Sequence, residues 1–132
     1  MVVQPVKPVL EPSPASQNSQ QVLTRALLKA AALLGVSQAE LASTLGVSPA
    51  TVSRMTAERY VLQPDRKEWQ LAILFIRLFR SLDSITGGRD DLSRAWLRSH
   101  NRALSAVPAS LLGDVESLVR VVHYLDASRA AV

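Results

Sequence analysis

The chain of 132 residues contains no cysteine, which excludes disulfides, thiolate zinc sites and a cysteine nucleophile together. Aromatics are scarce, with two Trp, two Tyr and two Phe. The two histidines, His100 and His123, are far apart and lack metal-ligand spacing. No apolar run is long enough to span a bilayer; the richest, Trp69 to Phe79, is interrupted by Arg77. The N-terminus has no apolar run after its charges, so no secretory signal and a cytoplasmic location are expected. Gly87-Gly88 lacks the lysine and preceding strand of a phosphate loop. Asp90-Asp91 fits a helix start better than a catalytic pair, and Asp126 reads as a solvated residue after the last apolar stripe. The chain is therefore expected not to be an enzyme, and to need neither metal nor cofactor.

What is present is apolar and helix-forming. Hydrophobic residues make up 48% of the chain, and Ala, Leu, Val, Ser and Arg dominate, which predicts an all-α fold with short connections. The net charge of +4 mildly favours an anionic partner but does not locate it. Residues 18–62 carry four basic against two acidic groups, and residues 63–132 carry ten against eight. Each part is thus equally basic, and only a motif can place a nucleic-acid site.

Three regions are expected. Residues 1–17 hold Pro5, Pro8, Pro12 and Pro14, a density that predicts a flexible or polyproline-like arm. Residues 18–62 begin with a helix from Ser19 to Leu34, with Val22, Leu23, Ala26, Leu27, Ala30 and Leu34 at helical spacing and Gly35 as its stop. Ser37-Gln-Ala-Glu40 is a capping-box pattern opening a helix to Leu45, and Gly46 ends it. Ser48-Pro49 then combines an N-cap with proline at the first helical position, starting a helix to about Arg59. Residues 60–64 form a linker. Residues 63–132 follow as a second helical domain, with Asp65 as N-cap and Glu68 completing a weaker box. Its long helix, which Gly87-Gly88 ends, has a run from Trp69 to Leu82 that is apolar around most of its circumference, more than one small domain covers, and this implies a subunit interface. A helix from Asp90 to about His100, a loop, a short turn near Pro108 and a last helix with Val115, Leu118, Val119, Val122 and Leu125 on one face complete it. No strand is expected.

The segment from Gln38 to Met55, QAELASTLGVSPATVSRM, has the logic of a helix-turn-helix. Leu41 and Leu45 face inward, Ala42 is small where the second helix crosses, Gly46 permits positive φ, and Val47, Val52 and Met55 close the core. Ser48, Pro49, Ala50, Thr51, Ser53 and Arg54 are left on the outer side of the second helix, whose N-terminal end would enter a major groove. Ser37 and Gln38 are placed to touch the DNA backbone. Arg54 is the strongest candidate for a guanine or phosphate contact, and Ala50 and Thr51 could meet a base edge or a thymine methyl. With one charge on that face, each subunit should bind modestly, and a homodimer on two half-sites is expected.

With these residues in view, the chain resembles an Xre-type antitoxin of the Xre/MbcA/ParS family. The resemblance covers roughly residues 20–130. It rests on the helix-turn-helix, on Ala95-Trp96-Leu97, on Asn101 with Leu104 and Pro108, and on the block from Val115 to Arg129. It implies an N-terminal Xre-like helix-turn-helix bundle and a C-terminal helical dimerisation and toxin-binding domain. The implied partners are a RES-domain toxin that depletes NAD, whose active site the C-terminal region covers, and the operator DNA of its own operon. Trp96, Arg120, Tyr124 and Arg129 are residue types enriched at interface anchors and are the candidate toxin contacts, Arg129 and the tail beyond it approaching the toxin pocket. Many members carry glycine in the loop before Pro108, where this chain has Ser105-Ala-Val107.

Two other readings share these residues. A stand-alone dimeric phage-like repressor would use the same motif, with the second half serving only dimerisation. An interaction module without DNA binding would fit the lean charge of the outer face. A RES-domain gene beside this one would favour the antitoxin, and a steep salt dependence of DNA affinity would argue against the module.

Overall fold

The computed structural model describes residues 14–131, with side chains from residue 17 on. Among the described residues the helices are α1 (Pro14–Leu33), α2 (Gln38–Leu45), α3 (Pro49–Thr56), α4 (Lys67–Ile85), α5 (Asp90–Arg98) and α6 (Val115–Ala130), with a 3-10 turn at Pro108–Leu111. The all-α expectation holds. One isolated antiparallel bridge, between Asn101 and Ala106, closes the loop after α5.

Helix α4 organises the rest. It packs most extensively on α6, then on α1, and also touches α2 and α5. Leu71, Ala72, Phe75, Ile76, Leu78 and Leu82 are all buried along it, so the breadth of its apolar surface is used on several sides. One continuous core results, running from Leu27 and Leu34 of α1 through Leu41 and Val52 to Leu118 and Leu125 of α6. The α4–α6 seam has a polar clasp: Asp126 accepts from Ser81 Oγ at 2.7 Å and from the Arg77 guanidinium.

The connection between α3 and α4 is irregular but held. Leu62 is fully buried; its N–H donates to Thr24 Oγ1 at 3.0 Å and its carbonyl accepts from Gln20 Nε2 at 3.2 Å. The main chain of an extended segment thus finds its partners on α1 side chains, which a buried stretch outside regular structure requires. Tyr60 Oη donates to both oxygens of buried Glu68 at 2.8 Å, and Gln63 N donates to the same carboxylate at 3.2 Å. Burial, then the Glu68 carboxylate, push the Tyr60 hydroxyl up to about 12.

Several local expectations need correction. Helix α1 begins at Pro14, so the last four residues of the expected arm 1–17 are helical. Proline at a first helical position lacks only an N–H that would be unbonded there. Residues 1–13 lie outside the described residues. Asp65 does not cap α4. The cap position is Arg66, whose guanidinium has no acceptor and makes no side-chain cap bond, and Glu68, turned inward to Tyr60 and Gln63, does not complete a box. Helix α3 ends at Thr56 rather than near Arg59, where Glu58 takes a φ of 59°. Val22 and Val115, expected on inward stripes, are each 55% exposed.

Phe75 is fully buried at the middle of α4. Phe75→Ala should lower the stability of the folded chain by about 3–5 kcal/mol. Denaturant unfolding followed by far-UV circular dichroism checks this; a loss below about 1 kcal/mol would mean that α4 is not central to the core.

Candidate nucleic-acid interface and partner face

The helix-turn-helix forms from local signals. Ser37 is extended, with φ −69° and ψ 163°. Its Oγ accepts from Glu40 N at 3.1 Å, and Glu40 Oε1 accepts from Ser37 N at 3.0 Å, completing the capping box. Gly46 has φ 68°, the left-handed conformation that lets α2 end and the chain turn at once. Ser48 then caps α3 by accepting from Thr51 N at 3.1 Å, with Pro49 at the first helical position. Leu41, Ala42, Leu45, Val52 and Met55 are buried, and Val47 is partly buried against them.

The candidate DNA contacts stay outside. Ser48, Pro49, Ala50, Ser53 and Arg54 are exposed on α3, and Thr51 is half-buried. Arg54 Nη2 donates to Thr51 Oγ1 at 3.1 Å, and the Thr51 and Ser48 hydroxyls lie 3.0 Å apart, so the three are brought together in a short chain. Among the described residues Arg54 makes no ion pair. Ser37 and Gln38 are exposed at the start of α2, and Gln38 Nε2 donates to Thr56 Oγ1 of α3 at 3.4 Å. The face offers neutral donors and acceptors with one unpaired guanidinium, groups that can read base edges and phosphates.

The four candidate partner contacts do not form one patch. Trp96 of α5 and Tyr124 of α6 stack with centroids 6.3 Å apart and an interplanar angle of 17°, both partly buried against the core. Arg120, one turn before Tyr124, donates Nη2 to the carbonyls of Leu104 at 3.0 Å and Ala103 at 3.3 Å, which pins the loop after α5. In that loop Ser105 adopts φ 56°, a conformation glycine takes without steric cost. Arg129 lies on a different face of α6. It lines a groove of about 870 Å³ between α1, α4 and α6, with Val22, Leu23, Trp69, Ile73 and Arg80. Val22 and Ile73, at 55% and 44% exposure, are the most open apolar side chains there. On α4 the exposed large apolar side chains are Ile73, in this groove, and Ile85, at the end of the helix.

Two arginines that the sequence reading passed over join the two halves. Arg98 of α5 donates Nη1 to Glu40 Oε2 at 2.7 Å and Nη2 to Glu40 Oε1 at 2.8 Å, and Nη2 also reaches the Gly35 carbonyl at 2.8 Å. Arg94, one turn earlier, donates Nη1 to the Leu33 carbonyl at 3.1 Å. The spacing of Arg94 and Arg98 put them on one side of a helix, but nothing in the local sequence named their acceptors. The Arg98 hydrogen bond holds the Glu40 carboxyl down at about 2, against the opposing effect of burial.

This gives a pH signature. The folded value lies below the ordinary 4.5, so the stabilisation is complete above about pH 4.5 and is lost as the pH falls towards 2. Both side chains are more than a third exposed, so screening limits the effect to about 1 kcal/mol or less. The stability gap between the wild-type chain and Arg98→Ala, from urea unfolding at stepped pH, should therefore narrow below pH 4.5. A gap that stays constant down to the acid limit of folding would contradict the ion pair.

Comparison with known proteins finds two family domains in the chain. Residues 13–77 match the antitoxin Xre-like helix-turn-helix domain. Residues 81–130 match the antitoxin Xre/MbcA/ParS C-terminal toxin-binding domain. The two matches meet inside α4. No curated protein sequence matches the chain. Among solved structures, the chain is similar to one in the crystal structure of the M. tuberculosis MbcT–MbcA toxin–antitoxin complex. The TM-score is 0.63 at 28% identity, covering 84% of this chain and 96% of that one. With its helix-turn-helix followed by a toxin-binding domain, the chain belongs to the Xre/MbcA/ParS antitoxins.

Proposed function

We propose that this antitoxin binds a RES-domain, NAD-depleting toxin, covers its active site with the C-terminal region, and represses its own operon through the helix-turn-helix. It performs no catalysis in this reading and acts in the cytoplasm. Among the described residues no helix is long and apolar enough to cross a membrane. Residues 18–62 read DNA, and residues 63–132 dimerise and hold the toxin.

The observation that carries the reading is the pairing, in one chain, of an exposed α3 face with a toxin-binding domain match over residues 81–130. On the DNA side, Ser37, Gln38, Ser48, Pro49, Ala50, Thr51, Ser53 and Arg54 are the contacts, Arg54 supplying the charge. On the toxin side, the Trp96–Tyr124 stack with Arg120 forms an anchor at the body of the domain, and Arg129 with the end of α6 extends towards the toxin pocket. A homodimer supplies two reading helices, and the apolar strip of Val22 and Ile73 is the surface that supports pairing.

Co-expression with the protein encoded beside it tests the toxin reading. Co-purification and restored growth are expected, and deletion after Ala127, which keeps the Asp126 clasp but removes Arg129 and the tail, should restore toxicity while leaving operator binding intact. No co-purification with a harmless neighbour would remove the toxin and leave a dimeric repressor.

Arg54→Ala should weaken binding to the chain's own upstream DNA by about 1–3 kcal/mol per subunit if it reads guanine. If it contacts phosphate, the salt dependence should instead become shallower by about one unit of slope. Unchanged affinity and slope in fluorescence anisotropy would exclude Arg54 from the interface.

A further inference from the structure

Helix α1 ends without a cation of its own: its last turn contains no basic residue. The last carbonyls of a helix lack intrahelical partners and carry the negative end of its dipole. Here the missing charge comes from α5 of the toxin-binding half. Arg94 reaches the Leu33 carbonyl and Arg98 the Gly35 carbonyl, at 3.1 and 2.8 Å. The approach is close enough that a Cβ on Gly35, already at φ 66°, would meet Arg94 Cδ at 3.2 Å. The same Arg98 guanidinium grips both oxygens of Glu40, and Glu40 is the carboxylate that closes the capping box onto Ser37. The planar fork of arginine therefore spans the end of one helix and the start of the next, a geometry that lysine cannot reproduce. A second contact from the same half lies further along α2. Gly113 sits so near Ser43 that an added Cβ would be 2.7 Å from its Oγ.

We propose that Arg98 is a positioning residue for DNA reading. From the toxin-binding half it sets the α1–α2 turn and the start of α2, which carries Ser37 and Gln38 and is tied to α3 through Gln38 and Thr56. Arg98 does not itself touch DNA. The inference rests on the proposed DNA-binding function for its consequence and on the clamp geometry alone for its mechanism. At 3.6 residues per turn, Arg94 and Arg98 share one side of α5, and Trp96, stacked on Tyr124, lies on the opposite side. Helix α5 is thus a strut between α6 and the reading head.

The test uses the full chain, with Arg98→Ala, Arg98→Lys, Glu40→Gln and, for comparison, Arg54→Ala. Amide hydrogen exchange over residues 37–42 needs no DNA. Arg98→Ala should speed exchange there about fivefold, the factor expected for losing one cap-strength interaction. Glu40→Gln, which keeps a capping-box acceptor but loses the charge, should give a smaller change in the same direction. With DNA from the chain's own upstream region, Arg98→Ala should lower affinity about three- to tenfold at an unchanged salt slope. Arg98→Lys should recover little of this, because the bidentate fork is lost.

Unchanged exchange over residues 37–42 in both Arg98→Ala and Glu40→Gln overturns the proposal. A fall in affinity accompanied by a shallower salt slope also overturns it, since Arg98 would then be a phosphate contact. Should Arg98→Ala fail to fold, Glu40→Gln carries the same two readouts. If the wild-type chain binds no upstream DNA, the proposed function fails separately, and the exchange result still decides whether the clamp positions α2.

Discussion

A helix with apolar residues on several sides can be stable in water only if neighbours cover those sides, and α4 imposes that demand here. Phe75, Leu78 and Leu82 are fully buried, and the covering comes from α6 on one flank and α1 on another. Because those two helices lie at opposite ends of the chain, burying α4 draws the N-terminal and C-terminal segments into one core. The helix-turn-helix then has little to provide for itself. Helices α2 and α3 are eight residues each, too short to persist alone, and they hold their crossing by resting on a body that α4 assembles.

The polar contacts between the halves are few and directed: the α5 arginines reach the α1–α2 turn and Glu40, while Asp126 clasps α6 to α4 inside the second half through Ser81 and Arg77. Exposed ion pairs contribute little net stability, so the value of the Arg98–Glu40 fork lies in its geometry: two parallel bonds fix direction as well as distance. A surface that recognises a macromolecule by a few short side chains needs such fixing. The outer face of α3 offers Ser48, Thr51 and Ser53, whose reach is short, and one arginine.

Much of this was legible in the sequence because the signals are local. Ser37 with Glu40, Gly46, and Ser48 with Pro49 each specify a boundary within four residues, and the structure places the boundaries there. The stripe from Leu27 to Leu34 and the breadth of α4 announced the core. The features missed depend on distance along the chain or on irregular backbone. The inward turn of Glu68 requires a tyrosine hydroxyl from the preceding linker, so the carboxylate that looked like a cap became a buried acceptor. Arg94 and Arg98 find carbonyls 61 and 63 residues away, and no local pattern encodes that. Periodicity put Val22 on an apolar stripe of α1, but which part of a stripe the chain itself covers is decided by where α4 and α6 lie. The candidate partner residues show the same limit: composition selected Trp96, Tyr124, Arg120 and Arg129, while only the fold separates the first three from the last.

Helix α4 joins the helix-turn-helix and the toxin-binding half into a single cooperative unit, and the two tryptophans report on it directly. Trp69 lies in the groove against α1, and Trp96 stacks on Tyr124 beside α6. Urea unfolding of Trp96→Phe leaves Trp69, at the contact of α4 with α1, and Trp69→Phe leaves Trp96, at the contact of α5 with α6; each is compared with circular dichroism of the same variant at one protein concentration. In each variant, fluorescence and circular dichroism should give the same midpoint and slope. A fluorescence transition displaced from the circular dichroism transition, with Trp69 and Trp96 displaced in opposite directions, would show two independently folding domains and contradict it.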